Sequence, residues 1–158
     1  MSQDLQLRAA TDADLDWVGA LVRHPSVAPS LSTTAADGLP DAVAAGELWI
    51  AETPAGGRVG AVRVTTANRR SRIASVETLV VHPEARGQRL GVAILRAVTR
   101  WAFARGVHRL EGEVYGFNKP ALRTFEAAGF TREGIRRRAY DRHGAWQDGV
   151  CFGLLSDE

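Results

Sequence analysis

The chain has 158 residues, 45% of them hydrophobic and 24% charged, with a formal net charge of +2. That length and balance suit one domain over residues 1–158, able to bury a core without staples, and exclude a disordered or fibrous chain. Cys151 is the single cysteine, which rules out an internal disulfide and a multi-cysteine metal site. The early acids Asp4, Asp12 and Asp14 are unlike a signal peptide, so a cytoplasmic protein with no membrane span is expected.

Leu5–Ala9 alternates apolar and polar residues as a half-buried strand does. Thr11 and Asp14 have the spacing of a capping box, and Leu15, Val18, Leu21 and Val22 follow at helical period until Pro25. Residues 25–40 hold three prolines and several Ser and Thr, so they read as a loop before a short helix near Asp41–Ala45. Glu47–Thr53 and Arg58–Thr65 are strand-like runs joined by Pro54-Ala55-Gly56-Gly57, a hairpin signal. Arg69, Arg70 and Arg72 crowd a polar turn before a strand beginning near Ile73.

Val76–Val81 has the composition of a buried strand, and His82-Pro83 stops it. Next comes Arg86-Gly87-Gln88-Arg89-Leu90-Gly91, and then a helix that can bury Ile94, Leu95, Val98, Trp101 and Ala102 on one face. A strand, a Gly-containing turn and a helix aim free N–H groups at one point. The helix dipole adds roughly half a positive charge there, which suits an anion such as a pyrophosphate. Gly87 and Gly91 keep Cβ atoms away from a ligand, and Arg86 and Arg89 add charge.

Gly106 ends that helix and His108–Val114 reads as a strand. Asn118 caps the helix Ala121–Ala128, with Pro120 in its first turn, Leu122 and Phe125 facing inward, and Gly129 closing it. Phe130–Tyr140 and Gln147–Leu155 make a final pair of strands around a charged turn at Asp141–Ala145. The order is β-α-α-β-β-β-α-β-α-β-β, an α/β chain. Its hairpins make most neighbours antiparallel, and the crossing from 76 to 114 sets one parallel pair.

Arg86-x-x-Arg89-x-Gly91 resembles the acyl-CoA signature of the GCN5-related N-acetyltransferase (GNAT) superfamily, Arg/Gln-x-x-Gly-x-Gly/Ala, with Arg89 where the family has its middle glycine. Asn118-x-x-Ala121-x-x-x-Phe125-x-x-x-Gly129-Phe130 resembles a later block of the same superfamily. The closing pattern Gly129-Phe130, Glu133-Gly134, Arg138, Trp146 and Asp148 is similar to its ribosomal-protein-alanine and amino-acid acetyltransferase branches. The resemblance covers nearly the whole chain. It implies a mixed, mostly antiparallel sheet whose parallel pair splays to leave a slot for a pantetheine arm.

It further implies that Leu79, Val80 and Val81 lend backbone groups to the pantetheine amides of acetyl-CoA. Arg86, Gly87, Gln88, Arg89, Leu90, Gly91 and Val92 would surround the pyrophosphate, and Asn118 would touch the cofactor, cap its helix, or both. The implied activity is direct transfer of an acetyl group, in a ternary complex, to a primary amine: a protein N-terminus, an amino acid or a small amine. A homodimer is expected on the same ground. The arginine-rich loops lean slightly toward an acceptor bearing a carboxylate or toward an acidic peptide.

Such a transfer needs a neutral amine, a stabilised oxyanion and a proton for the departing thiolate. Glu77 is the candidate base, a carboxylate in an apolar strand whose period of two places it with Leu79 and Val81; a salt bridge to Arg63 or Arg72 is the alternative. Phe125 stands where the family carries a tyrosine acid, so the proton falls to Tyr115, to Tyr140 or to water. Cys151 reads as a small core residue, and Trp146 as structural or as lining the acceptor site. The four histidines show no ligand pairing, so no metal is expected. A non-catalytic acyl-CoA-binding module is the rival function, kept open by Arg89 and Phe125. Nucleic-acid binding has only the pI of about 9.2 behind it and lacks a basic stripe interleaved with aromatics.

Overall fold

The computed structural model describes residues 4–158. In chain order the elements are β1 (Gln6–Ala9), α1 (Leu15–Arg23), α2 (Leu39–Ala44), β2 (Leu48–Glu52), β3 (Arg58–Asn68), β4 (Ile73–Val81), α3 (Leu90–Ala104), β5 (Arg109–Tyr115), α4 (Lys119–Ala127), β6 (Thr131–Arg142) and β7 (Ala145–Leu155). The strands form one sheet in the order β1-β2-β3-β4-β5-β7-β6. Neighbours are antiparallel except β4 and β5, which the α3 crossover makes parallel.

Helices cover both faces of the sheet over β2, β3 and β4, whose strands offer apolar residues to each side, whereas β6 is exposed along nearly its whole length. Val62, Val76 and Leu110 pack with Ile94, Leu95 and Val98 of α3 and with Phe125 of α4. On the opposite face Leu48, Ile50 and Val80 pack with Val18 and Leu21 of α1 and Ala42 of α2. Burying side chains of this size stabilises the fold by about 1.5–3 kcal/mol each.

The capping-box spacing at Thr11 has a larger consequence than a cap. Asp14 is 2% exposed. It accepts from the Thr11 N–H at 2.9 Å, from Arg8 at 2.7 and 2.8 Å, and from Arg58 at 3.2 Å. The Arg8 guanidinium holds the Asp14 carboxyl well below the usual carboxylate range, against the opposing effect of burial. This node ties the start of α1 to β1 and β3.

Two features of β4 shape the rest of the molecule. Its pairing with β5 covers only Ile73–Val76 against Arg109–Gly112, and beyond that point the strands part. At the same level β4 carries a bulge: Val76 lies opposite Val64 and Thr78 opposite Arg63, leaving Glu77 as the extra residue. The bulge reverses the alternation. Ala74 and Val76 point to the α3 face before it, and Leu79 and Val81 point there after it. Val80 turns to the α1 face.

Candidate active site

A cleft of about 1010 Å³ opens where β4 and β5 separate. One end of it is made of main chain. The His82 N–H donates to Val59 O at 2.8 Å, so by antiparallel alternation the polar groups of Val80 point to Ala61 on β3. Those of Leu79 and Val81 therefore point into the gap. Of the three residues expected to lend backbone groups, Val80 is thus engaged by β3, a partition that an unbroken apolar run does not reveal.

Beyond the strand, the first intrahelical bond of α3 is Ala93 N–H to Arg89 O at 3.2 Å, which leaves the N–H groups of Leu90, Gly91 and Val92 without a helical partner. The turn before them holds Gly87 at φ +84° and Arg89 at φ +55°. Arg89 therefore adopts the left-handed backbone that a glycine takes freely, at a cost of about 1–2 kcal/mol. The substitution changes the strain of the turn and leaves its path intact. Leu90 is buried, so only its backbone faces the cleft.

Gly91 has a reason for existing that its motif position does not announce. A Cβ there would stand 3.3 Å from Thr124 Cγ2 of α4, so its absence lets α3 and α4 approach closely. Arg86 donates to Ser26 O at 2.9 Å and ties the turn to the loop after α1. Asn118 caps α4 as expected, accepting from the Ala121 N–H at 3.3 Å, and it lines the cleft as well.

The other end of the cleft is made of side chains. Glu77 lines the cleft but is exposed, not buried as its apolar neighbours suggest, and it faces away from Leu79 and Val81 because it is the bulged residue. Its Oε1 accepts from Thr65 Oγ1 at 3.0 Å. The salt-bridge alternative fails for Arg63, which is held by Glu47 at 3.0 Å.

Tyr115 lines the cleft, stacked on Phe117 with centroids 5.1 Å apart, edge-on to Tyr140 at 5.2 Å, and under the Arg142 guanidinium at 5.7 Å. Tyr140 donates to Glu113 and accepts from Arg136 at 2.8 Å. Burial, and then the Glu113 hydrogen bond, push the Tyr140 hydroxyl up to about 12. Phe125 is 4% exposed and packs on Phe130 and Phe152. Its ring lies over Gly112, where a Cβ would stand 2.5 Å from Cε1. Phe125 thus fills the crotch at which β4 and β5 part. Cys151 is half-buried and lines the cleft, where burial raises its thiol pKa; it is no member of the core. Trp146 is 65% exposed and lies outside the cleft lining.

One group at this end was not visible beforehand. The guanidinium of Arg142 donates to Leu31 O at 2.8 Å, Pro29 O at 3.0 Å and Ala28 O at 3.2 Å, and His143 Nε2 lies 2.8 Å from Pro29 O. The tip of the β6–β7 hairpin is thereby stapled to the loop after α1, closing the wall of the cleft. Its turn, with His143 at φ +56° and Gly144 at φ +73°, is the tight two-residue kind, shorter than the five-residue turn expected. Among the described residues no group of three His, Cys, Asp or Glu is placed to hold a metal, and no helix is long and apolar enough to cross a membrane.

A parallel pair that splays, with a helix N-terminus beyond it, is the arrangement that the resemblance of the motifs implied. The acetyltransferase (GNAT) family model matches residues 24–130, and the chain belongs to that family. Among curated relatives it is 33% identical over 81 residues to the SPbeta prophage-derived uncharacterized N-acetyltransferase YokL of Bacillus subtilis, a match covering 51% of this chain and 46% of that protein. It is 32% identical over 73 residues to the probable N-acetyltransferase YjcK of the same organism, covering 46% of this chain and 40% of that protein. The matches thus span less than half the length of these relatives.

Among solved structures, a spermidine N-acetyltransferase from Vibrio cholerae in complex with CoA and spermine superposes with a TM-score of 0.85 at 19% identity, covering 99% of this chain and 98% of that one. A GNAT-family acetyltransferase from Bacillus anthracis gives 0.84 at 17% identity, covering 100% and 98%. At such identities these likenesses establish the fold.

Proposed function

We propose that the protein transfers the acetyl group of acetyl-CoA to a primary amine by direct attack in a ternary complex. The observation that carries this is the gap between β4 and β5, bordered by the unpaired polar groups of Leu79 and Val81 and ending at the N-terminus of α3. Buried backbone groups need partners, and an amide-bearing arm of pantetheine chemistry supplies both donors and acceptors. The N–H groups of residues 90–92, with Arg86 and Arg89 nearby, suit a pyrophosphate.

The thioester supplies an electrophilic acetyl group and a leaving thiolate. Glu77 takes the proton of the incoming ammonium, directly or through water, with Thr65 fixing one carboxylate oxygen and leaving the other open. Phe125 has no proton to give. Tyr140 is a poor donor to the thiolate because Glu113 already accepts its hydrogen, and burial together with that hydrogen bond raises its pKa. Tyr115, whose hydroxyl has no hydrogen-bond partner among the described residues, is the candidate acid, with water as the alternative. The spermidine acetyltransferase of the same fold supports a small amine as acceptor.

Calorimetric titration with acetyl-CoA, with CoA and ATP as comparators, tests the donor site. Micromolar binding, about −8 kcal/mol, with far weaker ATP binding is expected. Absence of heat, and of competition by CoA, would remove the basis for the function. A panel of amines read by mass spectrometry for an added acetyl group then tests transfer.

A further inference from the structure

A second recess of about 300 Å³ adjoins the cleft, and the two share Ser32, Glu77 and Thr78. Its walls come from three elements: Ser32, Thr34 and Ala35 of the loop after α1, Arg63 and Thr65 of β3, and Glu77 and Thr78 of β4. The bulge shapes it, since it leaves the successive residues Glu77 and Thr78 on the same side of the sheet. The volume is at the lower end of small-molecule sites.

The lining is hydroxyl-rich. Ser32 Oγ and Thr34 Oγ1 lie 3.1 Å apart, so one of the two O–H groups donates to the other and the second is left to donate elsewhere. Thr65 donates to Glu77 and keeps its lone pairs. The Thr78 hydroxyl has no hydrogen-bond partner among the described residues and offers both a donor and an acceptor. Glu77 keeps one oxygen unbonded. The Arg63 charge is met by Glu47, so it neither calls for an anion nor welcomes a second ammonium. The wall carries no aromatic ring that would stack on a flat or aliphatic body.

We infer that this recess binds the body of the acceptor and selects an amine carrying several neutral hydroxyl groups, an amino-sugar-like compound, over a polyamine or a carboxylate-bearing amine. The inference rests on the acetyl-transfer function proposed above. With the acceptor nitrogen at Glu77, between recess and cleft, the acetyl group approaches from the β4–β5 gap and the hydroxylated body lies against Ser32, Thr34, Thr65 and Thr78. Alternating donors and acceptors on both sides satisfy one another without a buried charge, whereas a second ammonium would find only Glu77, already taken by the reacting nitrogen, and a carboxylate would face Glu77 of like sign with Arg63 held by Glu47.

The test uses glucosamine, spermidine and glycine as acceptors, with two variants, Thr34→Val and Ala35→Phe. Glucosamine is expected to have the highest kcat/KM. Thr34→Val, which removes one hydroxyl at constant volume, is expected to raise its KM roughly 2- to 10-fold, and Ala35→Phe, which fills the recess, by more than about tenfold. Acetyl-CoA affinity should be unmoved, and spermidine should lose less in kcat/KM than glucosamine does. Preference for spermidine or glycine, or a loss shared equally by all three, would overturn the inference. Glucosamine binding to the CoA-loaded protein, read by calorimetry, separates the two proposals. Binding that Ala35→Phe abolishes, without transfer, supports the recess and sinks the acetyl-transfer function. No binding sinks the recess assignment whatever the protein does with other amines.

Discussion

The proposed donor end of the cleft is built from main chain and the proposed acceptor end from side chains, and β4 contributes to both. Leu79 and Val81 present peptide groups to the gap, beyond Val76, where the ladder to β5 stops. Glu77 and Thr78 present side chains to the other face. Backbone groups are the same in every residue, so the donor end tolerates changes of side chain and is sensitive to the path of the chain. The acceptor end has the opposite sensitivity: its path is held by distant contacts, and its chemistry changes with each residue.

Substitutions separate the two ends in descending order of effect. Glu77→Gln keeps the shape and removes the base, so kcat/KM should fall by about 10²–10⁴ with acetyl-CoA affinity unchanged. Unchanged turnover would transfer the role to another group and revive the non-catalytic module. Gly91→Val adds a branched side chain 3.3 Å from Thr124 and must push α3 from α4. A loss of about 1–3 kcal/mol in stability by denaturant unfolding is expected, together with weaker acetyl-CoA binding by calorimetry. Arg142→Ala cuts the three carbonyl contacts at 28, 29 and 31 and should raise acceptor KM roughly tenfold while leaving acetyl-CoA binding alone. If it weakened both substrates equally, the two ends would not be independent.

The smallest effect belongs to Arg89→Gly. It relieves the left-handed strain but gives the unfolded chain more freedom, so a net stabilisation below about 1 kcal/mol is expected in a thermal melt. Acetyl-CoA binding should change only slightly, since the peptide path is kept and one exposed charge is lost. A destabilised variant would show that the Arg89 side chain, not the turn, holds this end of α3.

Most of the elements were legible because they rest on local chemistry. Alternation, helical period, Pro25, Gly106 and the Asn118 cap act within a few residues, and the strand and helix positions follow them closely. The strand–turn–helix around Arg86–Gly91 was legible for the same reason. Glu77 was located but misjudged: the period of two gave it the face of Leu79 and Val81, and the bulge reversed it. A bulge is set by two strands pairing out of step, so it has no signature in one of them. Arg142 was missed altogether. Its carbonyl partners lie more than 100 residues earlier in the chain, and backbone carbonyls carry no mark of sequence.

By itself, then, the sequence determined the order of strands and helices, the parallel crossover and the glycine-bearing turn before α3, because propensity, capping and periodicity act between near neighbours. Only the tertiary structure decided where β4 leaves β5, which face Glu77 takes, how Phe125 fills the crotch, and how Arg142 closes the acceptor wall. Those depend on contacts between segments that the chain brings together after its elements have formed, and such contacts are selected by shape and unsatisfied polar groups over the whole molecule.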